Sequence, residues 1–378
     1  MYLKRRFLVL LHSLIFLFLS TAAAADKAPP KKPANAAPKP SELIWPLPPD
    51  PPRVRWVTEY SDLAKIGKPV KKASWLEKVS GAKTADEKEE LHRPYGIATD
   101  SHGRIFVADS ERRTIFVIDR DGKALDRRQG TDRAPLIMPI GVAIDGQDRL
   151  FVSDATAHQI TCFDAAGTIA GQFGSAQIGR AGGIAIDRNR SRLYVTDAKE
   201  NRIAVFDSNT FKFIRYIGGP SKPGKKEPGA FAGPTNIAVD RRGDVYIADT
   251  LNQRVQILDA EGKFIKSIGT QGDAPGEFIR PKGIAVDSEG HIYVADAEFN
   301  NFQILTREGQ PLLAVGALGT NPGQFALVAG LYIDSNDQIY TTEQYRGRVQ
   351  VFQYISQPAS TRADTKADGK EANPSNKH

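Results

Sequence analysis

One phrase recurs six times along this chain: a GIAVD-like strand, a short turn, a YVAD-like strand, and then an RVQIFD-like strand. It reads GIATDSHGRIFVADSERRTIFVID from Gly96, GVAIDGQDRLFVSDATAHQITCFD from Gly141, and GIAIDRNRSRLYVTDAKENRIAVFD from Gly183. It returns as NIAVDRRGDVYIADTLNQRVQILD from Asn236, GIAVDSEGHIYVADAEFNNFQILT from Gly283, and GLYIDSNDQIYTTEQYRGRVQVFQY from Gly330. Successive starts are 45, 42, 53, 47 and 47 residues apart. Units of 33 or 34 residues, as in ankyrin and tetratricopeptide arrays, are too short for this spacing, whereas a four-stranded blade fits it. The expected fold is an all-β, six-bladed β-propeller spanning 94–355.

The fourth unit sets the pattern for one blade: strand a over Ile237 to Asp240, b over Asp244 to Asp249, c over Arg254 to Asp259 and d over Phe264 to Gly269. Strand b is apolar at successive positions, as a strand sandwiched between two neighbours requires. Gly103, Gly243 and Gly290 fall in a-b turns and Gly122, Gly167, Gly262 and Gly309 in c-d turns, where a tight hairpin calls for positive φ. The third unit lacks these glycines, and Asn189 and Asn209 are the expected substitutes. The sixth unit supplies only three strands, which would leave an open sheet edge. The segment 53–60, RVRWVTEY, has the alternation of a strand and is expected to close the last blade from outside.

Lys4 to Arg6, the apolar run Phe7 to Leu19 and the small residues Ala22 to Ala25 describe a secretory signal peptide over 1–25. Export to the periplasm or the extracellular space is expected. An uncleaved leader would instead anchor the chain to the inner membrane, and only then is a membrane partner expected. Residues 26–52 are a Pro-, Ala- and Lys-rich tether ending in a stiff strap, WPLPPDPP. Residues 61–93 hold two capping-box patterns, from Ser74 and Thr84, and read as a partly helical insertion. Residues 356–378 read as a disordered polar tail. The formal charge of +7 falls to +4 without the three leader cations, too mild to argue for nucleic acid. Cys162 stands alone, so no intrachain disulfide can form, and its apolar strand marks it as a small buried hydrophobe.

An acidic residue ends strand b in every unit: Asp109, Asp154, Asp197, Asp249, Asp296 and Glu343. Six carboxylates at one height resemble a metal or catalytic ring. Their place at a strand-to-turn junction, five residues before Arg202, Arg254 and Arg348, favours a structural role: accepting from turn N-H groups and pairing with that arginine. The same reading applies to Asp100, Asp145, Asp187, Asp240, Asp287 and Asp334 at the ends of strands a.

These units resemble NHL repeats, most closely over Asn236 to Asp259 and Gly283 to Leu305. The resemblance implies a six-bladed propeller used as a binding platform, and the leader with its Pro-rich strap is similar to that of secreted bacterial NHL proteins. It implies no chemistry. Basic-faced NHL propellers that bind nucleic acid are intracellular, so none is expected as a partner here.

In blade geometry the d-a and b-c loops share one face. Its channel mouth should be ringed by Tyr95, Ile140, Gly182, Thr235, Lys282 and Ala329. Outside these come Arg93, Arg180, Asn236 and Arg280, with His158, Asn201, Asn252, Asn300 and Arg346 from b-c loops. The candidate binding rim is Arg93, Tyr95, His158, Arg180, Thr235, Asn236, Arg280, Lys282 and Arg346, a set suited to an acidic or hydrogen-bonding ligand. Lys222, Lys225 and Lys226, in the longest insertion of the ring, form a candidate docking loop for an acidic partner. No catalytic residue, metal or cofactor is expected: His102 and His291 fall on the face opposite His158, so a three-His zinc site cannot assemble in this register. There is also no DxDxDG loop, GxSxG elbow or phosphate-cradling Gly-rich loop. The expected function is a non-enzymatic scaffold that presents one face to a protein or extracellular ligand. The alternative is a propeller enzyme, a lyase or lactonase-like hydrolase, acting at the channel mouth.

Overall fold

The computed structural model describes residues 43–66, 90–119, 124–222 and 225–356. The expected signal peptide, residues 26–42 of the tether, the two capping-box segments, Gly122 and residues 357–378 lie outside the described residues. Six antiparallel sheets succeed one another over 94–128, 139–173, 181–217, 234–268, 281–315 and 328–354, blades 1 to 6. Their strands a are Pro94–Thr99, Pro139–Ile144, Ala181–Asp187, Pro234–Val239, Pro281–Val286 and Val328–Ile333. Each strand a contacts the next around the axis, and Val328–Ile333 contacts Pro94–Thr99, so the ring closes. The chain is a six-bladed β-propeller with four-stranded blades, whose described helical content is two short 3-10 turns at Leu63–Lys65 and Thr250–Asn252.

Burial follows radius. Strands b such as Ile105–Asp109 and Ile292–Asp296 are buried at every position, because both of their faces meet a neighbouring blade. The outermost strand Phe264–Ile268 alternates between half-buried and exposed positions, as a solvated edge does, until its last residue, Ile268, which is buried. Cys162 is buried and free, and burial pushes its thiol up to about 12, leaving it unreactive at neutral pH.

Blade 6 takes its outer strand from the other end of the propeller. Val54–Tyr60 runs antiparallel to Arg348–Tyr354, in register from Val54 opposite Tyr354 to Tyr60 opposite Val349, with a bulge between Trp56 and Thr58. Ile44–Trp45 adds a fifth strand outside it. Trp45 meets Phe352 edge-on at 5.8 Å, and Trp56 Nε1 donates to Gln350 Oε1 at 3.0 Å.

Gly103, Gly243 and Gly290, with Gly167, Gly262 and Gly309, have positive φ as their turns require. Blade 3 departs from the expectation, because Ser191 (φ 52°) and Phe211 (φ 61°) take the left-handed conformation and Asn189 and Asn209 do not. Both turns are one residue longer than their counterparts, so the left-handed position shifts toward the following strand. Asn189 and Asn209 instead donate their N-H groups to Asp187 and Asp207. Phe211 is held by stacking on Phe173 at 4.8 Å.

The acids that close strands b satisfy loop backbone. Asp296 accepts from the N-H groups of Ile279, Arg280, Glu298 and Phe299, tying the d-a loop to the b-c turn. Glu343 accepts from Ala326 N and from Arg348 Nε at 2.7 Å. Arg348 also donates to the carbonyls of Thr320, Asn321 and Gln324 and to Glu59 of the closing strand. Arg254 repeats the arrangement in blade 4 with Asp249 and the carbonyls of Lys226, Glu227 and Ala230. Burial raises the Glu343 pKa, opposed by the Arg348 contacts. Removing only the cation strands a buried carboxylate. We expect Arg348→Met to destabilise the fold by about 3–5 kcal/mol in urea denaturation, and Glu343→Gln added to it to recover part of that loss.

Candidate functional site

The third residue of strand a defines the waist of the channel. It is Gly96, Gly141, Gly183, Gly283 and Gly330 in five blades, and Asn236 in blade 4. A side chain at Gly96 would meet the backbone of Ile140 to Val142, and one at Gly330 the Tyr95 carbonyl, so glycine lets the innermost strands touch through their backbones. Ser and Thr hydroxyls then bridge blades: Ser153 donates to Gly182 O, Thr196 to Thr235 O, Thr250 to Pro281 O and Thr342 to Tyr95 O. Asn236 is the one side chain at this level, and its Nδ2 is buried without a hydrogen-bond partner.

Above the waist, on the d-a face, lie the second residues of strands a. Tyr95 is half-buried, and burial pushes its hydroxyl up to about 12, opposed by the nearby Asn236 amide and Arg180. The Asn236 amide faces the Tyr95 hydroxyl and stabilises its charged form, and its Nδ2 makes no hydrogen bond of standard geometry. Lys282 Nζ lies 5.8 Å from the Tyr95 ring centroid. Desolvation, with Arg280 and Arg93 nearby, lowers the Lys282 pKa. Among the described residues, Arg93, Arg180 and Lys282 have no carboxylate within ion-pair distance, whereas Arg280 reaches Glu298 at 3.8 Å. The mouth is thus a cationic funnel with a tyrosine and an unsatisfied amide at its floor.

Tyr95, Asn236, Lys282, Arg93, Arg180 and Arg280 therefore come together, whereas the Thr235 hydroxyl is engaged within its own blade by Thr250 Oγ1 at 2.7 Å. His158 is exposed in a b-c turn with φ 58°, and Arg346 bonds the Thr320 carbonyl at the periphery. Two of the b-c asparagines are braces rather than free rim donors: Asn201 Oδ1 accepts from Gly233 N at 2.6 Å and Asn300 Oδ1 from Leu327 N at 2.7 Å, each in the following blade. Asn252 turns inward to Asp249 and Ser221. In the insertion, Lys222 pairs with Glu227 at 3.4 Å, Lys225 and Lys226 are exposed, and Arg254 pins the backbone beneath. Sequence reading missed a Pro-Gly-x-Phe motif in the last three d-a loops, which buries Phe231, Phe278 and Phe325. Gln256, Gln303 and Gln350 read the backbone beside those phenylalanines.

Below the waist the channel widens into a cavity of about 370 Å³, opening on the a-b face. Its walls are strand backbone with aliphatics such as Ile144, Ile186, Val239, Val286 and Ile333. The carboxylates at its rim serve their own turns: Asp240 holds Arg242 and Asp244 N-H groups, and Asp287 holds Glu289 and His291 N-H groups. Among the described residues no group of three His, Cys, Asp or Glu is placed to hold a metal ion. Arg188 and Arg241 at this rim are exposed and have no carboxylate partner among the described residues; at the opposite mouth Lys282 is partly buried as well as unpaired and lies beside Tyr95, which is where we place the candidate site.

A family model described as a 6-bladed beta-propeller matches residues 230–306. The chain is similar to a probable peptidyl-alpha-hydroxyglycine alpha-amidating lyase of Caenorhabditis elegans, 30% identical over 98 residues, covering 26% of this chain and 27% of that protein. It is also similar to NHL repeat-containing protein 2 of Bos taurus, 25% identical over 182 residues, covering 46% of this chain and 22% of that one. The chain thus spans about a quarter of the length of these curated relatives. Among solved structures, a protein of unknown function from Bacteroides thetaiotaomicron aligns with TM-score 0.56 and 17% identity over 70% of each chain. A virginiamycin B lyase of Staphylococcus aureus aligns with TM-score 0.53 and 15% identity over 71% of this chain and 97% of its own. At such identities the structures bear on the fold alone: this is a six-bladed propeller, similar in sequence over part of its length to NHL repeat-containing proteins.

Because Lys282 titrates below its ordinary 10.5 when folded, the unfolded chain binds that proton more tightly. Stability therefore rises with pH across the window from the depressed value up to 10.5. We expect Lys282→Met to melt higher than wild type at pH 7, with the difference shrinking as pH approaches 10.5 in a series of thermal melts.

Proposed function

We propose that this chain is an exported, non-enzymatic binding scaffold that uses the d-a face of its propeller to hold an anionic group of a protein or other extracellular ligand. The observation that carries this reading is Lys282, which has no carboxylate partner among the described residues and lies near Arg93 and Arg280, beside Tyr95 and the Asn236 amide that faces it. A partly desolvated cation without a counter-ion is unfavourable in the free protein, and a bound carboxylate relieves that cost while meeting two further donors. The resemblance to NHL repeats fits a platform role, and the leader composition supports export. Similarity to an amidating lyase favours a second reading, a propeller enzyme acting at the same mouth.

An oligoglutamate peptide titrated by calorimetry tests the site. We expect Lys282→Met to weaken binding by roughly tenfold, as loss of a charge-assisted hydrogen bond does, and raised salt to weaken the wild type further. Equal affinity in wild type and variant would overturn the site. Mass spectrometry of recovered candidate ligands separates the two readings, since a scaffold returns them unchanged.

A further inference from the structure

The residue immediately before strand a occupies one register position in all six blades: Arg93, Met138, Arg180, Gly233, Arg280 and Leu327. Blades 1, 3 and 5 place arginine there. Blades 2, 4 and 6 do not, and each displays an exposed apolar residue nearby: Ile137 in blade 2 at 39% exposure, Leu251 in blade 4 at 67%, and Leu327 with Tyr345 in blade 6 at 44% and 61%. Leu251 and Tyr345 are themselves equivalent, each two residues past the acid that ends strand b. Gly233 explains blade 4, because its missing side chain leaves room against which Leu251 lies.

Leu327 points to selection for display. Its φ is 57°, the left-handed region, where its equivalent is Gly233 at the same φ. A bulky side chain there is disfavoured by contact with its own backbone, and strain of this kind accumulates at functional positions. The Asn300 brace on its N-H holds the conformation, so the leucine is fixed on the surface instead of folding inward.

We infer that the d-a face is a docking surface of alternating chemistry, with an arginine before strand a on blades 1, 3 and 5 and exposed apolar side chains on blades 2, 4 and 6, where Arg346 beside Tyr345 adds a further cation, fitted to an acidic polypeptide segment that carries large apolar side chains. This rests on the proposed use of that face and names its partner's chemistry. Charge complementarity supplies the acidic component, since Arg93, Arg180 and Lys282 have no carboxylate partner among the described residues, and the exposed Ile137, Leu251, Leu327 and Tyr345 supply the apolar one. A polypeptide fits better than an anionic lipid surface. Glu111 and Glu298, 61% and 53% exposed, stand at the positions equivalent to Leu251 and Tyr345, so a lipid headgroup layer would be driven onto like charge, whereas a peptide can thread between them.

The test is selection of random dodecapeptides on the immobilised full chain, followed by anisotropy with the recovered peptides. We expect enrichment of Asp and Glu together with Leu, Phe or Trp. Leu327→Gly should hold or raise the melting temperature, because it relieves the left-handed leucine, while weakening the selected peptide on the order of fivefold. Leu251→Ser and Tyr345→Ser should weaken it similarly. All three should leave oligoglutamate affinity unchanged, so failure here is distinguishable from failure of the cationic mouth. Peptides without joint acidic and apolar enrichment, or wild-type affinity in the three variants, would overturn the inference. So would sedimentation with phosphatidylglycerol vesicles that competes with the peptide.

Discussion

Everything at the mouth depends on closing the circle. Two contacts do so at opposite radii: outside, Val54–Tyr60 hydrogen-bonds along Arg348–Tyr354, and inside, Thr342 of blade 6 donates to the Tyr95 carbonyl of blade 1 at 2.6 Å. Without the outer strand, Arg348–Tyr354 would be an apolar edge buried on one side and unpaired on the other, a template for association. Tyr95, Asn236 and Lys282 belong to blades 1, 4 and 5 and are at least 46 residues apart in sequence. Their proximity is purely a product of closure. The ion pair from Arg348 to Glu59 ties the outer strand to the acid network of blade 6, so one arginine links ring closure to the loops that form the d-a face.

The repeat separates residues that build the ring from residues that vary upon it. Closing acids, strand-c arginines and glutamines are consumed by loop backbone, as the full complement of acceptors around Arg254 and Arg348 makes plain. Polar groups committed in this way are costly to disturb and unavailable to ligands. Positions that change from blade to blade are the opposite case. Asn236 where five blades have glycine, Lys282 where others have Ile140 or Ala329, and Leu327 where blade 4 has Gly233 are departures that the ring itself does not need.

Blade count, strand order and the structural role of the strand-b acids were legible in the sequence, because each is fixed by local pattern: apolar runs, turn residues and an acid-to-arginine spacing of five. The failures are equally physical. Asn189 and Asn209 looked suited to left-handed positions, yet one extra residue per turn moved those positions to Ser191 and Phe211. Asn201 and Asn300 looked like free rim donors, yet each is spent on a backbone N-H of the next blade, a partner that no single-repeat reading contains. The alternation of arginine and apolar residues around the face was present in the letters, but required the true starts of strands a before it could be aligned.

The same geometry explains why the two ends of one channel differ. At the a-b end, aspartates sit where turns can occupy them, so Asp240, Asp287 and Asp334 accept from nearby N-H groups and their charges are absorbed locally. At the d-a end the equivalent acids lie farther out, beneath the loops, and the innermost positions are left to whatever strand a presents. Of the cations there Arg280 reaches Glu298, while Arg93, Arg180 and Lys282 have no carboxylate partner among the described residues, and burial beside Tyr95 deprives Lys282 of water as well. Among the described residues both mouths carry arginines without a carboxylate partner, Arg188 and Arg241 at the a-b end, but only at the d-a end is a cation also drawn out of water beside a buried phenol, and it is this desolvation that sets that face apart.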